Sequence, residues 1–258
     1  MDLVLLSFIA IPIGWVASMI GVGGGIFMVP LLALFYVDTT QIAVGTSLGA
    51  IVFTSLSSTV GYARQRVLDF RLGLMLIPWS IAGAWLGAYL TEFISSEGLS
   101  MAFGVILIYV AGLMLWNKTP KELALKLQRH TADGRIIYRW PPVVVVGLFA
   151  GTAAGFFGIG GGIVMVPSLT LVLGVDIVAA VATSLFVMGP SALIGSIQHA
   201  LLDNLRLNLA LLLGLGIIVG AQLGASTTVR VPQIFLRRLF GVVMLYSAGN
   251  MIWNGLHP

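Results

Sequence analysis

The sequence predicts an all-α polytopic membrane protein made of two homologous repeats. Each repeat has four or five transmembrane segments, eight to ten in total, and Gly-broken helices recur at matching places. Three observations carry this expectation. Of 258 residues, 59% are hydrophobic and 9% are charged, about a third of the charge of a soluble domain. The charges cluster and leave eight uncharged apolar blocks, each near or above the roughly 20 residues that cross a bilayer as a helix. The first half of the chain also returns in the second at one constant offset, the one that carries Gly21 to Gly158.

In order, the blocks run over about 3–37, 39–63, 72–91, 98–117, 140–175, 177–202, 207–229 and 239–258. A mean hydropathy of +1.06 leaves too little polar surface for a soluble enzyme, and disorder is excluded for the same reason. A spanning β-barrel would alternate in polarity over segments of about ten residues. Runs such as Leu209 to Gly220 do not alternate. The opening Met1-Asp2-Leu3 lacks a basic n-region and reads as a retained first span rather than a removable signal peptide. The net charge of +4 is better placed in cytoplasmic loops than on nucleic acid. With no Cys, disulfides and thiolate metal sites are excluded, and His130, His199 and His257 are too scattered for a metal site. No cofactor is expected.

The repeat is carried by four separate motifs. Gly21-Val22-Gly23-Gly24-Gly25-Ile26-Phe27-Met28-Val29-Pro30 returns as Gly158-Ile159-Gly160-Gly161-Gly162-Ile163-Val164-Met165-Val166-Pro167. Thr46-Ser47-Leu48 returns as Thr183-Ser184-Leu185, Gly83…Gly87 as Gly220…Gly224, and Phe103-Gly104-Val105 as Phe240-Gly241-Val242. One transmembrane domain is therefore expected over 1–258, with repeat one at 1–117, a cytoplasmic linker at 118–140 and repeat two at 141–258. Within the linker, Thr119-Pro120-Lys121-Glu122 fits a capping box, so a short amphipathic helix is expected through about Arg129.

The first block of each repeat is broken. Residues 3–20 can span, Gly21 to Gly25 then interrupt the helix, and 26–37 resume as a run too short to cross. Residues 142–157, 158–162 and 163–175 do the same. Paired, Gly-interrupted short segments in two halves point to a transporter's binding site. Glycines let backbone approach a ligand, and a resumed helix offers unpaired N–H groups and a positive dipole end, which suit an anion. By contrast, Gly83-xxx-Gly87 and Gly220-xxx-Gly224 read as helix-packing surfaces.

Loop charges bear on topology. The 64–71 loop is net +2, 92–97 is −2 and 118–139 is +4, whereas 203–206 is neutral and 230–238 is +3. If the short post-glycine segment counts as a crossing, each repeat has five segments, the halves are inverted and every loop obeys the positive-inside rule. If the glycines only kink one long helix, each repeat has four spans and the halves are parallel. The charges favour inversion.

No charged side chain falls inside a proposed span, which disfavours a carboxylate proton relay. The candidate substrate contacts are Gly23, Gly24, Gly25, Thr46, Ser47, Gly160, Gly161, Gly162, Thr183 and Ser184, with Gln198 and His199 as a feature of one half only. Each hydroxyl has a competing role, bonding back to its own helix. His199 has another, capping its helix at the membrane interface. Gly45-Thr46-Ser47 with His199 has neither the spacing nor the flanks of a serine protease, and Gly23-Gly24-Gly25 lacks the Lys-Ser/Thr of a P-loop.

These motifs resemble the TauE/SafE sulfite exporter family. The paired Gly-x-Gly-Gly-Gly…Pro elements, each followed by a Thr-Ser helix in a duplicated chain of this length, carry the resemblance, which covers nearly the whole chain. It implies a permease for sulfite, organosulfonates or related anions in the inner membrane of a bacterium or archaeon, and not an enzyme. The expected partners are a small anionic substrate and the lipid bilayer, with H⁺ or Na⁺ as an optional coupling ion. The alternatives are an importer or channel for another small solute, and a membrane scaffold.

Overall fold

The computed structural model describes residues 3–37, 39–90 and 140–232, with isolated residues in 108–137 and 234–253. The helices are α1 (Leu3–Ile20), α2 (Gly25–Phe35), α3 (Thr40–Arg64), α4 (Phe70–Leu90), α5 (Trp140–Phe157), α6 (Gly162–Leu171), α7 (Ile177–Leu201) and α8 (Leu207–Thr228). Between α4 and α5, β1 (Arg129–His130) pairs antiparallel with β2 (Ile136–Ile137). The amphipathic helix expected in the linker lies outside the described residues except at Arg129. That residue is in a strand, so the helix does not reach it. The described residues of the 98–117 and 239–258 blocks, among them Ala111 and Ala248, are helical.

The helix bounds follow the sequence offset. Leu3 and Trp140 open α1 and α5, Thr40 and Ile177 open α3 and α7, and Phe70 and Leu207 open α4 and α8; every pair is separated by the same interval as Gly21 and Gly158. The caps follow it too. Thr39 accepts from the Ile42 amide at the start of α3, and Asp176 accepts from the Val178 amide at the start of α7. The turns leaving α3 and α7 each place a non-glycine residue in the left-handed region, Arg66 and Asp203, both at φ 58°.

Cross-helix contacts fix the directions. Ser7 Oγ donates to the Leu212 carbonyl and Trp15 Nε1 to Thr227 Oγ1, so α1 runs parallel to α8. Ser57 bonds Ile218 and Gln65 bonds Ala225, so α3 does as well. Asp69 with Thr183 and Ser80 with Ser191 make α4 parallel to α7. Gly147 lies against Leu76 and Gly155 against Ala84, which makes α4 parallel to α5. Between α3 and α7 the order reverses: Gly45 lies against His199, Leu48 against Gly195, and Ser55 against Gly189 and the Leu185 carbonyl. Thus α1, α3 and α8 share one direction and α4, α5 and α7 the other. Helices related by the offset are antiparallel, which is the inverted arrangement that the loop charges favour. Because α1 and α3 point the same way, the short α2 carries the chain back between them.

Two close crossings hold the halves together. On α8, a Cβ added at Gly216, Gly220 or Gly224 would strike the backbone carbonyl of Ser7, Ile11 or Trp15. On α4 and α5, Gly83, Gly87, Gly151 and Gly155 meet the facing backbone in the same way. The small-xxx-small motifs are packing surfaces, as expected. Five helices are long and apolar enough to cross a membrane among the described residues: α3, α4, α5, α7 and α8. Their outer faces carry exposed Leu74, Trp85, Val145, Leu215 and Leu223, an apolar surface suited to lipid.

Candidate functional site

The two glycine breaks are real interruptions, and they meet. Gly21, Gly23 and Gly24 hold φ of 77°, 77° and 95°; Gly158, Gly160 and Gly161 hold 67°, 77° and 72°. Gly24 and Gly161 are the N-caps of α2 and α6, in a left-handed conformation that a side chain adopts only under strain. Gly25 and Gly162 form the first residue of each resumed helix. A Cβ at Gly25 would strike the Gly158 carbonyl, and one at Gly162 would strike the Gly21 carbonyl. Each short helix therefore begins against the opposite repeat's loop, and two positive dipole ends converge on one seam near the pseudo-twofold axis.

The Thr-Ser pairs bind these loops across the halves. Ser47 Oγ donates to the Gly158 carbonyl (2.6 Å), with Val44 O also within reach at 3.0 Å. Ser184 Oγ is placed the same way, 3.0 Å from the Gly21 carbonyl and 3.0 Å from Val181 O. Thr46 Oγ1 accepts from the Arg206 amide (3.0 Å) and Thr183 Oγ1 from the Asp69 amide (3.3 Å), which anchors the starts of α8 and α4. All four side chains are fully buried. Thr54 adds a third latch, donating to the Gly23 carbonyl at 3.0 Å. Its counterpart Ser191 instead bonds back to Val187 O and accepts from Ser80. Loop carbonyls are thus turned onto hydroxyls, while the helix starts present amides.

His199 meets α5 at Gly155, about one turn before Gly158, and Gln198 precedes it on α7. They follow Met188 on α7 by about three turns, roughly 15 Å along the helix at its 1.5 Å rise. Gln198 is half-buried. His199 lies in the last turn of α7 and is fully buried, with its Nε2 3.2 Å from the Gly155 carbonyl. Tyr62, its counterpart by the offset, donates its hydroxyl to the Ser18 carbonyl at 2.8 Å, and Ser18 is the counterpart of Gly155. The two residues tie equivalent carbonyls near the ends of α5 and α1, just before the glycine breaks. This pair is shared by both halves in role, although not in residue type. Ser47 and His199 bond to different carbonyls and do not form a catalytic pair. No group of three metal-ligating side chains occurs among the described residues.

The sequence reading missed what fills the seam. Ile51 and Met188, themselves counterparts by the offset, both touch both loops. An apolar groove also opens between α5 and α6, lined by Pro141, Val145, Phe149 and Val172, but it lies apart from the glycine seam.

Comparison with known proteins agrees with this architecture. The family described as Sulfite exporter TauE/SafE matches residues 6–251. The chain is similar to the probable membrane transporter protein YunE of Bacillus subtilis, at 32% identity over 99% of both chains. It is also similar to a probable membrane transporter protein of Xylella fastidiosa, at 29% identity over 94% of this chain and 92% of that one. A probable membrane transporter protein of Methanocaldococcus jannaschii is 25% identical over 94% of both. No solved structure matches the chain. An inverted helical bundle with paired glycine breaks, matched over nearly its whole length, belongs to the TauE/SafE family of multi-pass membrane transporters.

Proposed function

We propose that this transporter is a permease for a small sulfur-containing anion, such as sulfite, a sulfonate or a related oxyanion, and that it exports its load across the inner membrane. One transporter domain spans 1–258, with its linker, 118–140, on the cytoplasmic side. The observation that supports this reading best is the meeting of α2 and α6, N-terminus to N-terminus, at Gly25 and Gly162. Each helix start contributes about half a positive charge and unpaired amides. Two such ends held together repel each other, and an anion between them would relieve that repulsion. Ser47, Ser184 and Thr54 pair the loop carbonyls that would repel an anion. The substrate contacts are then the amides of Gly23, Gly24 and Gly25 and of Gly160, Gly161 and Gly162. Thr46, Ser47, Thr183 and Ser184 fix the loops around them. His199 also holds the Gly155 carbonyl ahead of the second loop, and Gln198 beside it is the remaining candidate contact.

A neutral cradle also releases its load more readily than a buried Arg would. Export needs no coupling ion. A membrane potential of about 100 mV, negative inside, contributes roughly 2.3 kcal/mol per elementary charge leaving. A dianion thus gains enough for a gradient of more than a thousandfold, at about 1.4 kcal/mol per factor of ten. The two halves rock against each other at the seam, and H⁺ or Na⁺ adds to the driving force if coupled.

Counterflow in proteoliposomes, with sulfite, thiosulfate, sulfoacetate and a panel of carboxylates, tests the reading. Exchange restricted to sulfur anions, and lost on substitution of Gly24 by Leu, is the expected result. Exchange of neutral solutes or carboxylates alone would overturn it in favour of an importer or channel for another solute.

A further inference from the structure

Ile51 on α3 and Met188 on α7 occupy the space between the glycine loops, where the antiparallel α3 and α7 cross. Both are buried, at 0% and 1% exposure. A Cβ at Gly23 would strike Met188 Sδ and lie 3.1 Å from Ile51 Cγ2. One at Gly160 would lie 2.6 Å from Met188 Sδ and 3.2 Å from Ile51 Cδ1, and one at Gly162 2.8 Å from Met188 Cε. The contacts that Gly23 makes with these two side chains therefore have counterparts at Gly160. We infer that Ile51 and Met188 form the gate of the translocation path, an apolar plug that closes the seam between the two loops and that must part for a solute to pass.

Three features separate a gate from ordinary core. The plug lies where two glycine-rich backbone segments, whose side chains are only Val22 and Ile159, face each other, so few side chains have to move to open a passage there. Met is unbranched, with three rotatable bonds, and can swing without rebuilding its helix. Gly23 and Gly160 let its sulfur pack directly against both loops. An apolar constriction also blocks ions by excluding water, which needs no charged residue; α7 has none and α3 has only Arg64, at its far end. Elsewhere on the same helices, Leu48 of α3 packs against Gly195 of α7, equally buried and about one turn from Ile51 along α3. It provides the comparison that a purely structural role requires.

This inference rests on the reading that the path runs between the loops, but its test does not depend on the nature of the solute. The chain has no cysteine, so single-cysteine variants carry no background. Ile51→Cys, Met188→Cys and Leu48→Cys would be made in the full chain, reconstituted in liposomes and treated with two methanethiosulfonates of similar size. One bears an anionic sulfonate and the other a cationic trimethylammonium group. A thiol reacts as its thiolate and is inert in apolar surroundings, so labelling reports access to water. The expected result is labelling of Ile51→Cys and Met188→Cys at least an order of magnitude faster than Leu48→Cys, with the sulfonate faster than the cation. Melting curves would show that each variant is folded. Labelling of neither gate position, or labelling of Leu48→Cys at the same rate, overturns the gate. Fast labelling by the cation in preference to the sulfonate leaves the gate standing and overturns the anion reading. Ile51→Ala with Met188→Ala supplies a second readout: solute leak rises if the pair is a gate and is unchanged if it is only packing.

Discussion

Ser47, in the first repeat, donates its hydroxyl to the carbonyl of Gly158, in the second, at 2.6 Å. The converse bond runs from Ser184 to Gly21. Each half therefore holds the broken backbone of the other, and the seam is built by exchange. Removing either hydroxyl leaves a buried carbonyl unpaired, which costs about 1–3 kcal/mol. Ser47→Ala and Ser184→Ala are each expected to lower the melting temperature in detergent. Transport should also fall, because an unpaired carbonyl turned into the seam opposes an anion. Unchanged melting for both variants would show that the bonds do not hold the loops.

The N-caps Gly24 and Gly161 share a left-handed conformation but not their surroundings. At Gly24 a Cβ would meet the flexible Met28 Cε at 3.1 Å, and Ala17 Cβ and Ile13 Cγ2 at 3.3 Å, with no backbone carbonyl in the way. Gly24→Ala should therefore cost little beyond the roughly 1–2 kcal/mol of left-handed backbone. At Gly161 a Cβ would strike the carbonyl of Ala150, which is helix backbone. Gly161→Ala should add about 1–3 kcal/mol of overpacking. Melting of the two purified variants checks the order, and equal losses would contradict it.

How much of this was legible in the sequence depends on chemical contrast. Four glycines within five positions stand out in an apolar chain, and their return in the second half located the loops and the helix bounds. Loop charges pointed to the inverted topology. Ile51 and Met188 did not stand out, because an apolar residue in an apolar helix looks like any other. Only the three-dimensional crossing of α3 and α7 gives them a special place. The Thr-Ser pairs were recognised as recurrent, but the carbonyls that the two serines hold belong to the opposite repeat, far away in the chain. Tyr62 and His199 differ in type, and that difference hid a common role: each meets an equivalent carbonyl ahead of a glycine break.

That common role gives a matched pair of predictions. Tyr62→Phe keeps the ring and removes the bond to Ser18, and His199→Phe removes the bond to Gly155. Each should cost about 1–3 kcal/mol, the penalty for a buried acceptor left alone. His199→Gln keeps an N–H donor and should lie closer to the parent protein than His199→Phe. Thermal unfolding compares all three. If His199→Gln and His199→Phe are equally destabilised, the ring's packing, and not its bond, holds that end of α5.

The inverted arrangement has the sharpest test, because the structure supplies an equivalent exposed residue on each half. Arg66 and Asp203 leave α3 and α7 in the same turn, at the same φ of 58°, and both are exposed. The shared backbone makes a substitution equally strained at either site, so differences in reactivity report position. Because α3 and α7 are antiparallel, these two turns lie at opposite ends of the bundle. Arg66→Cys and Asp203→Cys should therefore react with a membrane-impermeant thiol reagent from opposite sides. Arg66→Cys should react from the cytoplasmic side, where its loop of net charge +2 belongs by the positive-inside rule. Labelling inside-out and right-side-out vesicles in parallel reads this directly. Reaction of both from the same side would mean parallel halves, and the helix starts of α2 and α6 could not then converge as described.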